Sequence, residues 1–194
     1  MATRILGIDP GSRVTGYAIL EDHNRSVHSP CCDIIKLTGI TDPHDRLRQL
    51  YTETTSIISQ FQPQMCAIET PVYGKDPLAM LKLGRAQAAI IMAILHSNLP
   101  LYEYYPKAVK KAITGSGNAS KNHVAYMLQK LIRISEEKLT NDATDALAVA
   151  WCHHQKMSDP SFQNHTDSGT IRTGSRRNNW SSFVEDNPER IRKP

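Results

Sequence analysis

Arg4-Ile5-Leu6-Gly7-Ile8-Asp9-Pro10-Gly11-Ser12 decides how this chain is read. Residues 4–8 are a short apolar run, the length of a buried strand. Asp9-Pro10-Gly11-Ser12 ends it in a tight turn, with Pro and Gly supplying the special backbone angles. Val14 to Leu20 reads as a second strand, Asp22-His23-Asn24 as a second turn, and Ser26 to Leu37 as a third strand. Pro30 interrupts that strand and predicts an edge position or a bulge. The chain thus opens with a three-strand meander in which Asp9 sits at the end of a central strand.

Beyond the meander the period changes. Leu47, Leu50, Tyr51, Thr54, Ile57, Ile58 and Phe61 recur at helical spacing after an Asp42-Pro43 start signal. Met65 to Ile68 is a short apolar strand leading to Glu69. A second helix follows Asp76-Pro77, with Leu81, Gly84, Ala88, Ile91 and Leu95 as its expected buried stripe. Leu99 to Tyr105 reads as a fifth strand and Lys107 to Ile113 as a short helix, broken by Gly115-Ser116-Gly117-Asn118. Ser120 caps the next helix, whose stripe is Val124, Met127, Leu128, Leu131 and Ile132. The last helix starts near Thr140 and carries Ala143, Ala146, Leu147, Ala150 and Trp151 on one face. The order β-β-β-α-β-α-β followed by helices is that of an α/β domain with a mixed sheet. Residues 1–155 form this expected domain. Residues 156–194 are too polar to offset the entropy of ordering and are expected to be a disordered tail.

Composition narrows the function. With 194 residues, 40% of them hydrophobic, the chain suits one globular domain. Its N-terminus turns polar by Asp9, and the expectation is a soluble, cytoplasmic protein with no membrane association. The four cysteines are too few and too irregular for a disulfide framework. Cys152-His153-His154 lacks a second pair at zinc-ligand spacing, so Cys152 is read as a packing residue and the histidines as solvated. The net charge is only +4, but it is unevenly spread. From Pro77 to Ser135 lie Lys82, Arg85, Lys107, Lys110, Lys111, Lys121, Lys130 and Arg133 against the single acid Glu103. Such a one-signed region fits a polyanionic partner, or a solvated face.

The acids carry the chemistry. Asp9 and Glu69 end two strands, where sites gather in open α/β sheets; the same positions also suit solvated loop carboxylates. Asp142 and Asp145 are three apart at a helix start and share a face, although Asp is also favoured there for capping and for the helix dipole. Four carboxylates without His or Cys would make a hard oxygen site suited to Mg²⁺ or Mn²⁺. A pair of such ions can activate water and stabilise a leaving phosphodiester oxygen.

Taken in order, these stretches resemble the RuvC family of Holliday-junction resolvases. Ile5 to Gly11, continuing to Thr15-Gly16-Tyr17, resembles the family's opening; Ala67-Ile68-Glu69 its second acidic motif; Leu81-Lys82-Leu83-Gly84 the helix that follows. Gly115-Ser116-Gly117 with Lys121 resembles its basic loop, and Asp142-Ala143-Thr144-Asp145-Ala146-Leu147-Ala148 its closing motif. The resemblance spans roughly residues 4–154. It implies a ribonuclease H-like fold with a five-stranded mixed sheet flanked by helices. It further implies a homodimer that hydrolyses four-way junction DNA by paired, symmetric nicks in recombination and repair. By the same resemblance the enzyme depends on Mg²⁺, two ions per subunit with Mn²⁺ able to substitute, and works beside a junction-binding branch-migration helicase complex. Carried over, Asp9, Glu69, Asp142 and Asp145 are the metal ligands, and Lys110 and Lys121 flank the scissile phosphate. Lys75, Lys107 and Lys111 complete the expected DNA contacts. The family's junction-core aromatic aligns with Val72, so either Tyr73 beside it takes that role or the role is weaker in this chain.

Three other readings remain. Sugar kinases and actin-like ATPases also begin with strand, Asp-x-Gly turn and strand, but need a second such domain. A junction-binding protein would need the basic face without the acids. A nuclease for RNA hybrids or other branched DNA would use the same fold.

Overall fold

The opening meander forms because its apolar residues alternate correctly for two covered faces. In the computed structural model, which describes residues 2–24, 26–72, 74, 76–134 and 139–158, β1 (Thr3–Asp9), β2 (Val14–His23) and β3 (Ser26–Lys36) pair antiparallel in sequence. The β2–β3 register shifts between Ile19 and Glu21. Leu20 therefore faces Ser29 and Pro30 together, and Pro30 is accommodated in a bulge rather than costing a ladder hydrogen bond. β4 (Met65–Glu69) and β5 (Leu101–Tyr104) then add in parallel on the other side of β1.

The sheet has six strands, not the expected five, in the order β5-β4-β1-β2-β3-β6. The sixth, β6 (Arg133–Ile134), pairs with His28 and Ser29. Its two residues give no readable period, which is why the sequence merged Ile132 into the preceding helix. That helix, α4 (Lys121–Leu131), stops one residue earlier.

Helices cover both faces. α1 (Pro43–Phe61) and α2 (Pro77–His96) lie on one side, where Leu6, Ile8, Ile19, Ile68, Leu50, Ile57, Ala86, Ile90 and Ile94 form one apolar cluster. α3 (Pro106–Thr114), α4 and α5 (Asn141–Met157) cover the other, with Ile5, Ala18, Leu20, Ala67, Val124, Leu128, Ala146, Leu147 and Ala150 in the second cluster. The start signals act as read: Asp42 accepts from the backbone amides of His44 and Asp45, Asp76 from those of Leu78 and Ala79, and Ser120 from that of His123.

The buried stripe of α2 is corrected. Ala86, Ile90, Ala93 and Ile94 face the core, while Leu81 and Leu95 are 52% and 43% exposed. This helix is apolar on more than one side, so spacing alone does not choose the stripe that meets the sheet. By length and hydropathy α2 would be able to cross a membrane, yet little of it is buried within this chain. It presents Leu78, Leu81, Met92 and Leu95 outward. Tyr73, Lys75 and, beyond Ser158, the C-terminal segment lie outside the described residues.

Candidate active site

Strand alternation decides which acids meet. On β1, Ile5 and Gly7 face α5, and Asp9 shares their parity; on β4, Ala67 does, and Glu69 shares its parity. β1 and β4 are adjacent and parallel, with Ile8 paired to Ile68. Asp9 and Glu69 therefore end neighbouring strands on the face that α5 covers.

Two glycines let α5 descend onto them. A Cβ at Gly7 would lie 2.3 Å from the Ala146 carbonyl oxygen, and one at Gly16 would lie 1.9 Å from that of Asp142. Gly16 pairs with Asp9 across β1–β2. The first turn of α5 thus rests on Gly16 beside Asp9, with Thr140 capping the amide of Ala143. The small residues Ala143, Ala146 and Ala150 that produced the sequence stripe are what permit this approach.

The electrostatics show how close the acids are. Burial pushes the Asp9 carboxyl up to about 7, and the charges of Glu69, Asp145 and Asp142 add to that, against the opposing pull of Lys121. Glu69 is also raised to about 7, by burial first and by Asp145 second, with Lys121 and Lys110 opposing. Lys121 donates to Asp145 Oδ2 at 2.5 Å, and this bond raises the lysine. So four carboxylates share one neighbourhood, and Lys121 and Lys110 stand within its field. Lys107 and Lys111 are exposed on α3, on the helix that carries Lys110.

Among the described residues no three His, Cys, Asp or Glu side chains are drawn together closely enough to hold a metal ion as they stand. The Lys121 ammonium instead supplies the positive charge at Asp145. The donor set nevertheless fits a hard divalent cation. It is all carboxylate oxygen, half-buried, and burial, with neighbouring negative charge, holds protons on Asp9 and Glu69. A divalent ion would replace those protons.

One sequence reading is corrected here. His153 and His154 are not solvated. His153 is fully buried, its Nδ1 2.7 Å from the Tyr104 hydroxyl, and its ring stacks on Tyr102 at 4.1 Å between centroids. His154 Nε2 lies 2.8 Å from Asp22 Oδ2. Both are in the last turns of α5, where helical phase returns them to the sheet, and no sequence signal separates a buried histidine from a surface one.

The comparisons with known proteins agree with this architecture. A family profile described as crossover junction endodeoxyribonuclease RuvC matches residues 5–153. The chain belongs to this family. The RuvC protein of Salinibacter ruber is 42% identical over 187 residues, covering 96% of this chain and 98% of its own. That of Porphyromonas gingivalis is 40% identical over 190 residues, covering 97% and 96%. Among solved structures, Thermus thermophilus RuvC in complex with a Holliday junction substrate superposes with a TM-score of 0.71 at 22% identity, over 80% of this chain and 95% of that one. The fold is therefore that of the RuvC resolvases, ribonuclease H-like with a mixed sheet between helices.

Proposed function

We propose that this chain is a metal-dependent endonuclease that resolves four-way DNA junctions by two matched nicks in recombination and repair, acting in the cytoplasm. The observation that carries the reading is the placement of Asp9 and Glu69 at neighbouring strand ends under the first turn of α5, which bears Asp142 and Asp145, with Lys110 and Lys121 beside them, in a member of the RuvC family.

Asp9, Glu69, Asp142 and Asp145 would hold two Mg²⁺ ions, or Mn²⁺ in their place, because both ions prefer carboxylate oxygen. When bound, such ions supply an activated water and neutralise charge on the leaving oxygen. Asp9, at the end of the central strand, lies between Glu69 on the neighbouring strand and the first turn of α5. Lys121, freed from Asp145, and Lys110 beside Glu69 bind the phosphate that enters between them. Lys107, Lys111 and Lys75 extend the backbone contact, and Tyr73 stacks on a base at the junction centre.

Two matched nicks need two sites, and the described residues of each chain hold one such cluster. The outward apolar side chains of α2 support a homodimer: Leu78, Leu81, Met92 and Leu95 are exposed, and a Cβ at Gly84 would meet nothing within 4 Å. A two-fold axis along this helix would fix the separation of two sites. By family resemblance a branch-migration helicase complex would be its partner. The deciding experiment compares cleavage of a four-way junction, a linear duplex and an RNA–DNA hybrid with Mg²⁺. Paired nicking of the junction alone is expected; preference for either other substrate would overturn the reading.

A further inference from the structure

Lys110 and Lys121 approach the carboxylates from the Glu69 and Asp145 side. The other flank of the cluster is bounded by β2 and β3. Across the sheet end, Asp9 pairs with Gly16 and Gly16 with Ile34; two pairs further out, Val14 meets Lys36. Cys32 and Ile34 pack towards α5, so Lys36, in step with them along β3, projects on the face that holds the acids. Lys36 is exposed at the last position of β3. Strand spacing and rise place its Cα roughly 12 Å from that of Asp9, within the span of two nucleotides.

Arg13 stands next to it. Its carbonyl accepts from the Leu37 amide at 2.9 Å, which ties the β1–β2 turn to the residue after Lys36. The same turn is closed from below by Thr15, which is fully buried. Thr15 Oγ1 accepts from the Gly11 amide at 3.1 Å and donates to the Gly11 carbonyl at 3.0 Å. The turn after Asp9 is therefore held at both ends, yet the Arg13 side chain is exposed, and neither Arg13 nor Lys36 forms an ion pair among the described residues. A fixed backbone carrying two exposed cations, Lys36 in step with the acidic face and Arg13 on the turn that follows the first acid, matches a phosphate-binding element whose ordering cost is already met by the fold.

We propose that Arg13 and Lys36 form a second phosphate-binding rim, on the β3 side of the carboxylates, which with Lys110 and Lys121 grips the DNA backbone on both sides of the cleavage point. This deepens the proposed junction-nuclease function and rests on it. Lys110 and Lys121 act where the phosphate is cut; Arg13 and Lys36 act about two nucleotides away and set how the departing strand lies.

The test measures binding of a four-way junction in Ca²⁺ over a series of salt concentrations, and cleavage in Mg²⁺, for wild type, Arg13→Ala/Lys36→Ala and Arg13→Lys/Lys36→Arg. The alanine double variant is expected to lower the slope of log affinity against log salt by about 1.8, two phosphate contacts' worth. KM should rise about tenfold, with kcat at saturation within about twofold. The charge-retaining variant should restore both. Both side chains are exposed, so the melting temperature should match wild type. If the alanine variant is less stable, Lys36→Gln alone, at a strand end, serves for the slope. An unchanged slope and KM, with wild type nicking the junction normally, would overturn the rim and leave the function intact. A wild-type protein that neither binds nor nicks the junction would instead remove the function on which the rim rests.

Discussion

Two groups of buried titratable side chains lie against opposite ends of α5, and they solve burial in opposite ways. At its C-terminal end His153 is driven down to about 4, chiefly by burial. Its neutral ring is satisfied by the Tyr104 hydroxyl and stacked on Tyr102. Nothing there is short of charge. At the N-terminal end Asp9 and Glu69 are driven up to about 7, by burial and by each other. Among the described residues, the lysine bonded to that cluster, Lys121, is taken by Asp145. Burial alone therefore does not mark a functional site. What distinguishes the acidic end is that its ionised form lacks a partner that a divalent cation and a phosphate would supply.

The largest effect expected from this contrast is on cleavage. Asp9→Asn or Glu69→Gln should slow junction nicking by on the order of 10³-fold or more, since metal-held charge stabilisation is worth several kcal/mol. Junction binding in Ca²⁺ should survive. In EDTA at pH 8 the Asp9→Asn protein should melt higher than wild type, because a repelling carboxylate is gone. A lower melting temperature would place the acidic end with the histidine end, as a satisfied structural cluster, and erase the contrast.

The two ends should also respond to pH with opposite signs. In metal-free protein, Asp9 and Glu69 keep protons up to about 7 that the unfolded chain releases near its ordinary carboxyl values. Their contribution to stability is therefore present at about pH 4, falls as pH rises to about 7, and is flat above. His153 in the native state has lost the proton that the unfolded chain holds below about 6.5. Its contribution is full above that pH and falls as pH drops to about 4, by at most about 1.4 kcal/mol per pH unit. Urea midpoints of Asp9→Asn and His153→Phe against wild type, across pH 4 to 8 in EDTA, separate the two. Saturating Mg²⁺ should abolish the acidic slope and leave the His153 slope untouched.

A stability effect without a catalytic one is expected at the histidine end. His153→Ala removes a fully buried ring and leaves the Tyr104 hydroxyl unpaired, at a cost of about 2–4 kcal/mol. The folded fraction should cleave with wild-type kcat. Loss of kcat in excess of the loss of folded protein would mean the cluster reaches the active site.

These two ends also differ in how legible they were. The acidic end was readable because strand ends, Asp-Pro-Gly and a pair of Asp three apart are local signals, and parity along β1 and β4 brings them to one face. The histidine end was not, because its partners come from β4, β5 and α5, and only the tertiary path unites Met65, Tyr102, Tyr104 and His153. The meander and the helix starts were legible from turn and cap chemistry. The stripe of α2 was misread because a helix apolar on several sides gives no phase, and β6 was missed because two residues carry no period. Gly7 and Gly16 could have been flagged as same-face positions flanking Asp9, a signature of close helix approach.

The smallest effect is expected where the two ends part from the C-terminal residues. Composition predicts no share in the core for residues 159–194, and the last described residues still pack on the domain. Lys156 Nζ lies 4.3 Å over the Tyr104 ring, Met157 packs on the α5-side cluster, and the Ser158 amide bonds to the His154 carbonyl. A chain ending at Ser158 keeps all three. Its melting temperature should lie within about 3 °C of wild type, under about 1 kcal/mol for a domain of this size, with unchanged kcat on the junction. A chain ending at His154 loses the cation over Tyr104, worth about 0.5–2 kcal/mol, together with the packing of Met157. It should melt measurably lower while its acids remain as they were. Equal melting of the two shortened chains would show that the last turn of α5 does nothing for the histidine end. A large drop for the chain ending at Ser158 would show that residues 159–194 belong to the fold.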